Sequence, residues 1–134
     1  MTDDQRRDIV RHWWMKAEES LASAKRECSA GSYSFSVNRL YYSCFYAVSA
    51  ILLERKFSFR KHVAVRSTLH KEFIRTGVLD TVWGKLYDQL FEDRQMGDYL
   101  PLKAFSREYV ESQIERCAEF LNVVRPLVQS LEKK

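Results

Sequence analysis

Arg94, Asp98 and Tyr99 fall close together in the segment EDRQMGDYLP, and His62 stands earlier in the chain amid a run of lysines and arginines. Arginine offers a permanent cation whose planar fork fits a phosphate through two parallel hydrogen bonds. Histidine is the side chain that exchanges protons near neutral pH. These two types suffice for acid–base chemistry at phosphorus. Arg94 follows Leu90 by four positions and Tyr87 by seven, so it extends the inward stripe of its helix. An inward arginine needs a partner or a ligand. Asp98 is the nearest candidate, and two readings stay open: an ion pair tying the helix end to its loop, or an anion site with Tyr99 beside it.

A second concentration of polar and aromatic groups lies in NRLYYSCFYA, residues 38–47. Leu40, Tyr41 and Cys44 belong to an apolar helical face. Asn38, Tyr42 and Tyr46, spaced four apart, form another face with Arg39 beside it, and Phe35 and Phe45 add further aromatic area. Exposed aromatic clusters mark an interface or a ligand groove. A homodimer is the economical expectation.

The elements that must position these groups are helices. Val10, Trp14, Ala17, Leu21, Ala24 and Cys28 alternate by fours and threes, and Gly31 suits the end of that first helix. A second helix, capped by Ser32 or Ser34, carries Tyr33, Val37, Leu40, Tyr41, Cys44, Val48, Ile51 and Leu52 to about Arg55. After the connector KFSFRK, a third runs from about Lys61 to Gly77 with Val65, Leu69 and Phe73 inward. Asp80 caps a fourth, which places Trp83, Leu86, Tyr87 and Leu90 inward and stops near Gly97; residues 97–105 read as a loop. Ser106 opens a fifth, interrupted by Pro126. No β-type alternation or internal repeat appears. The expected architecture is one all-α domain over residues 1–134, an antiparallel bundle of about five helices with short connections.

Charge and composition narrow the function classes. Residues 55–75 hold seven Lys or Arg against Glu72, a local charge of +6 where the whole chain carries +4, so the remainder is slightly acidic at −2. Such asymmetry is the footprint of a polyanion partner, or else of a solvated basic helix face. His62 opens the third helix facing a groove, whereas His70 and His12 read as solvated or structural. Cys28, Cys44 and Cys117 lack paired metal or redox spacing and read as reduced core thiols. No phosphate loop, HExxH or other metal motif occurs, so neither a metal nor a cofactor is expected. No apolar run is long enough for a membrane span, and the charged start MTDDQRRDIV does not read as a secretion signal. A cytoplasmic location is expected.

Taken in order, NRLYYSCFYA, KHVAV, FIRTGVL and DRQMGDY resemble the HEPN superfamily (higher eukaryotes and prokaryotes nucleotide-binding), in its small stand-alone prokaryotic branch. The similarity runs over nearly the whole chain. It implies a helical-bundle homodimer of toxin–antitoxin or defence type that binds RNA or a nucleotide, often encoded beside a minimal nucleotidyltransferase. Many members are metal-independent endoribonucleases. Their motif is an arginine, four to six residues, then a histidine often followed by tyrosine, with both copies meeting at the dimer interface.

Here Arg94 occupies the place of the motif arginine, but Tyr99 stands where histidine belongs. A tyrosine with a pKa of about 10 is a poor base at neutral pH. Arg55 and His62 satisfy the spacing formally yet straddle a connector, so that match is set aside. A compensated site is the alternative: Asn38, Arg39 and Tyr42 from the second helix, His62 from the third, and Arg94 with Asp98 from the fourth would converge, His62 moving the proton while Arg94 and Arg39 hold phosphate. Against that enzyme stands a non-catalytic reading, in which the chain is a partner or substrate-binding subunit of a nucleotidyltransferase.

Overall fold

A computed structural model describes residues 1–99 and 104–132, with Tyr99 described in its backbone only. The described residues form five α-helices in the expected order: α1 (Asp3–Ser29), α2 (Tyr33–Glu54), α3 (His62–Leu69), α4 (Thr81–Tyr99) and α5 (Arg107–Val124). A π-helical turn, His70–Ile74, prolongs α3, and two 3-10 turns, Arg125–Leu127 and Gln129–Glu132, follow α5. No strand occurs among the described residues.

Local chemistry sets the helix ends. The Thr2 hydroxyl accepts from the Gln5 amide while the Gln5 side chain accepts from the Thr2 amide, a reciprocal capping box at the start of α1. Asp80 accepts from Val82 N at 2.9 Å before α4, and Ser106 accepts from Tyr109 N at 3.1 Å before α5. Ser32 stands at the expected cap of α2 but makes no side-chain cap bond. At the far end of α2, Lys56 N donates to Leu53 O and Phe57 N to Leu52 O, which turns Lys56 left-handed at φ 69°. This is the Schellman ending that glycine ordinarily supplies. It aims the connector back across the bundle.

Most of the predicted core is buried, while Leu21, Tyr33, Trp83, Ile114 and Leu131 are half-buried at its edge. Val10, Trp14, Ala17, Ala24, Val37, Leu40, Cys44, Val48, Val65, Leu69, Phe73, Leu86, Leu90, Val110, Cys117, Leu121, Val124 and Val128 are all buried. Two serines join them. Ser36 Oγ donates to Ala24 O at 2.7 Å and Ser43 Oγ to Ala17 O at 2.8 Å, so small residues seven apart on each helix hold α1 and α2 in close register. Cys44 and Cys117, distant in sequence, meet with Sγ atoms 3.7 Å apart, and that contact together with burial pushes the Cys44 thiol well above its ordinary pKa. All three cysteines are free and buried.

Three sequence expectations need correction. α4 passes through Gly97 and continues to Tyr99, and the Phe105 ring covers Gly97, 3.2 Å from where a Cβ would stand. The third helix does not stay α-helical to Gly77: it widens into the π turn, where Arg75 N reaches back five residues to His70 O at 2.9 Å. His70 is not a solvated residue. Its Nε2 lies 3.0 Å from Asp88 Oδ1, and its ring rests on Gly84, where an added Cβ would come within 2.8 Å. Pro126 does end α5, in the 3-10 turn Arg125–Leu127. The chain end is pinned to α2 by Glu54, which accepts from Ser130 N at 2.6 Å and from Ser130 Oγ at 2.9 Å.

Candidate functional site

The α2 face from Asn38 to Tyr46 meets α3 at His62 and α4 at Arg94. Helix period places Asn38, Tyr42 and Phe45 along one side of α2. The return of the connector after Lys56 brings His62, first residue of α3, onto that side. His62 stacks on Phe45 with ring centroids 4.3 Å apart and meets the Tyr42 ring edge-on at 5.8 Å. Arg94, five residues before the end of α4, spreads its guanidinium 5.2 Å from the Tyr41 centroid and 5.2 Å from that of Tyr42. The histidine and the arginine thus share the same two tyrosines.

Polar contacts complete the cluster. Arg94 Nε lies 3.4 Å from Asp98 Oδ2, too poorly aligned for a hydrogen bond, and Asn38 Nδ2 donates to the same oxygen at 3.4 Å. Arg39 donates from Nη2 to Asn38 Oδ1 at 2.5 Å and from Nε at 3.1 Å, with its guanidinium 5.5 Å from the Tyr42 centroid. Asn38, Arg39, Tyr42, His62, Arg94 and Asp98 therefore converge as one constellation. The side chain of Tyr99 lies outside the described residues.

Tyr41 is the residue that sequence reasoning missed. Its place on the apolar face is correct, and it is fully buried. Yet its hydroxyl lies 2.8 Å from His62 Nδ1. Burial pushes this hydroxyl up to about 12, so it stays protonated and anchors the imidazole from inside the core. The buried Tyr87 hydroxyl approaches from beneath without closing a hydrogen bond of full geometry. The available signal was the Tyr-Tyr pair itself, which puts one ring in the core and its neighbour at the surface of the same turn.

Electrostatics fit a neutral histidine. Burial, then the nearby Arg94 cation, lower the pKa of His62 below the ordinary imidazole value. Neutral imidazole with Nδ1 held by Tyr41 leaves Nε2 as the exchangeable nitrogen. Arg94 is an arginine stacked on aromatic rings and only loosely held by its carboxylate. It retains donors for an anion.

The basic run divides. Arg55, though exposed, rests 4.2 Å above the Phe73 ring and donates to Glu72 O at 3.3 Å, and does not join His62. Arg66 lies 4.4 Å from the Phe91 centroid and 3.7 Å from Asp88. Lys56, Arg60 and Lys61 remain exposed before α3, and Lys71 and Arg75 beyond its end. The aromatic face of α2 is likewise less open than its composition suggested: Tyr42, Phe45 and Tyr46 are half-buried, and Tyr46 stacks on Trp13 of α1 at 5.5 Å. Beside His62, between α1, α2 and the connector, a groove of about 520 Å³ runs past these rings. No helix among the described residues is long and apolar enough to cross a membrane.

Comparison with known proteins agrees with this architecture. The family model described as the HEPN domain matches residues 10–127. A UPF0332 protein of Thermotoga maritima is 35% identical over 130 residues, which cover 97% of this chain and 98% of that protein. "Putative toxin MJ0142" of Methanocaldococcus jannaschii is 35% identical over 107 residues, covering 80% of this chain and 73% of the relative. A UPF0332 protein of Pyrococcus horikoshii is 32% identical over 79 residues, 59% of this chain and 56% of the relative.

Proposed function

Because the chain belongs to the HEPN domain family, we propose that it is a toxin-type endoribonuclease, acting in the cytoplasm as a homodimer and needing no metal. One observation carries the reading: His62 and Arg94, from different helices, converge on Tyr41 and Tyr42. His62 replaces the histidine missing at position 99. In the productive tautomer its Nδ1–H donates to the Tyr41 oxygen and Nε2 takes the proton from a ribose 2′-hydroxyl. The freed 2′ oxygen attacks the adjacent phosphorus, the bond to the 5′ oxygen breaks, and that oxygen takes a proton from solvent. Arg94, with Arg39 and Asn38 at its flank, balances the charge gathering on the phosphate oxygens. The products are a 2′,3′-cyclic phosphate and a 5′-hydroxyl.

The test is incubation of purified protein with total RNA in EDTA beside Arg94→Ala and His62→Ala. Wild type should cut, and each variant should lose about 10² to 10⁴ of the rate, the usual contribution of a positioned acid–base group. Equal cleavage by all three, or none by wild type, removes the enzyme. A second reading draws on Asp98, which partly neutralises Arg94, and on the tyrosine at position 99. In it the domain binds a nucleotide or RNA for a nucleotidyltransferase partner and cuts nothing. Retained binding without cleavage would favour it.

A further inference from the structure

The groove beside His62 is not used by the chemistry above, although Tyr42 and His62 form part of its wall. Two parallel-stacked aromatic pairs line it. Trp13 and Tyr46 lie 5.5 Å apart at 15°, and Phe57 and Phe59 lie 6.2 Å apart at 15°. Ser49 also lines it, its hydroxyl without a hydrogen bond to any described residue, and the exposed Arg60 lines it too. Flat π faces, one free hydroxyl and a cation are the parts that hold a planar heteroaromatic ring joined to an anion.

A volume of about 520 Å³ falls within the usual range of small-molecule sites, about 300–1,000 Å³, and suits a single ring system with its sugar. Lys56 and Lys61 flank Arg60 in the chain, and all three are exposed, so the approach is cationic. His62 borders both the groove and the Arg94 cluster. A base seated in the groove would therefore leave its own phosphate within one nucleotide of the reacting groups.

We propose that this groove is a nucleobase subsite, in which one unpaired base of a single-stranded RNA is held beside the phosphate to be cut. The proposal rests on the ribonuclease reading for its phosphate, but its measurement does not require cleavage. Binding of a fluorescent single-stranded RNA octamer is compared with eight copies, each abasic at one position. Wild type should bind one or two abasic copies at least about fivefold more weakly, the lower end of what one base–aromatic stack contributes. Ser49→Phe, which fills the groove, should erase that position dependence, and Phe59→Ala, at an exposed residue outside the core, should reduce it.

A flat series in wild type, or a dependence unchanged in both variants, overturns the subsite. Cleavage of the same oligonucleotides is scored separately. Cutting with a flat series removes the subsite and leaves the enzyme, whereas position-dependent binding without cutting does the reverse. Failure to bind any octamer removes both. Loss of the dimer in Ser49→Phe with base dependence intact would assign the groove to a second copy of the chain instead.

Discussion

At the scale of single residues, the site turns on how His62 is held. Its pKa is lowered by burial and then by Arg94, so the neutral base forms at lower pH than in free histidine. The acid limb of the rate against pH should therefore have its midpoint below the ordinary imidazole value of about 6.5. Replacing Arg94 by Gln removes the cation and should move the residual activity's midpoint upward. An unmoved limb would separate the two residues. The same shift has a sign for stability: a depressed histidine favours the folded state above its unfolded pKa, and that contribution fades as pH falls through the lower folded value. Tyr41→Phe keeps the ring and deletes the anchor. It should cost roughly tenfold to a hundredfold in kcat with KM little changed, since a slightly misplaced catalytic group costs up to about 10², and thermal melting would show whether the core survives. Much of this constellation was legible: Asn38, Arg39, Tyr42 and Arg94 announce themselves by helix spacing, and Asp98 as the carboxylate nearest to Arg94 in the chain. The role of Tyr41 was not, because period alone assigns a side chain to a face and cannot say what its terminal oxygen touches.

Helices and their endings fix that geometry. The turn at Lys56 sends the connector back so that His62 lands on α2, and it does so with a non-glycine residue at φ 69°. Lys56→Gly should relieve this conformation and raise stability by about 0.5–1 kcal/mol, measured by urea denaturation. A decrease would mean that the lysine stem packs usefully. At the other end of the chain, Glu54 accepts two hydrogen bonds from Ser130. Glu54→Ala leaves a buried hydroxyl and amide unpaired and should cost about 1–3 kcal/mol, with faster proteolysis of the terminal turns as the local readout. The helix stripes were readable in sequence since apolar spacing is local. Ser36 and Ser43 in the α1–α2 seam were not, because a serine at a core position gains its partner only from a neighbouring helix. The π turn at His70–Ile74 also escaped, its extra residue absorbed where His70 reaches Asp88.

For the molecule as a whole, the partition of the basic run matters more than its net charge. Arg55 and Arg66 rest on the Phe73 and Phe91 rings, while Lys56, Arg60, Lys61, Lys71 and Arg75 stay exposed, Arg60 among them lining the groove. RNA affinity should fall steeply with salt, and Lys61→Gln with Lys71→Gln should flatten the logarithmic slope by about 0.7 for each phosphate that is no longer neutralised. An unchanged slope would place the RNA elsewhere. The charge asymmetry is visible in the sequence, but which cations are free is not, since that depends on where Phe73, Phe91 and Asp88 come to rest.

Tyr41 also ties survival of the fold to the working of the site. A buried ring packed against Phe45, Tyr87 and Phe91 supplies the hydroxyl that orients His62. Under selection against a harmful activity, inactivating lesions need not fall at the arginine or the histidine. Substitutions that merely tilt this ring would disarm the protein while leaving it helical and abundant. Escape variants should scatter through the interior of α2 and α4, and the mutational target for losing activity is correspondingly much larger than the visible cluster.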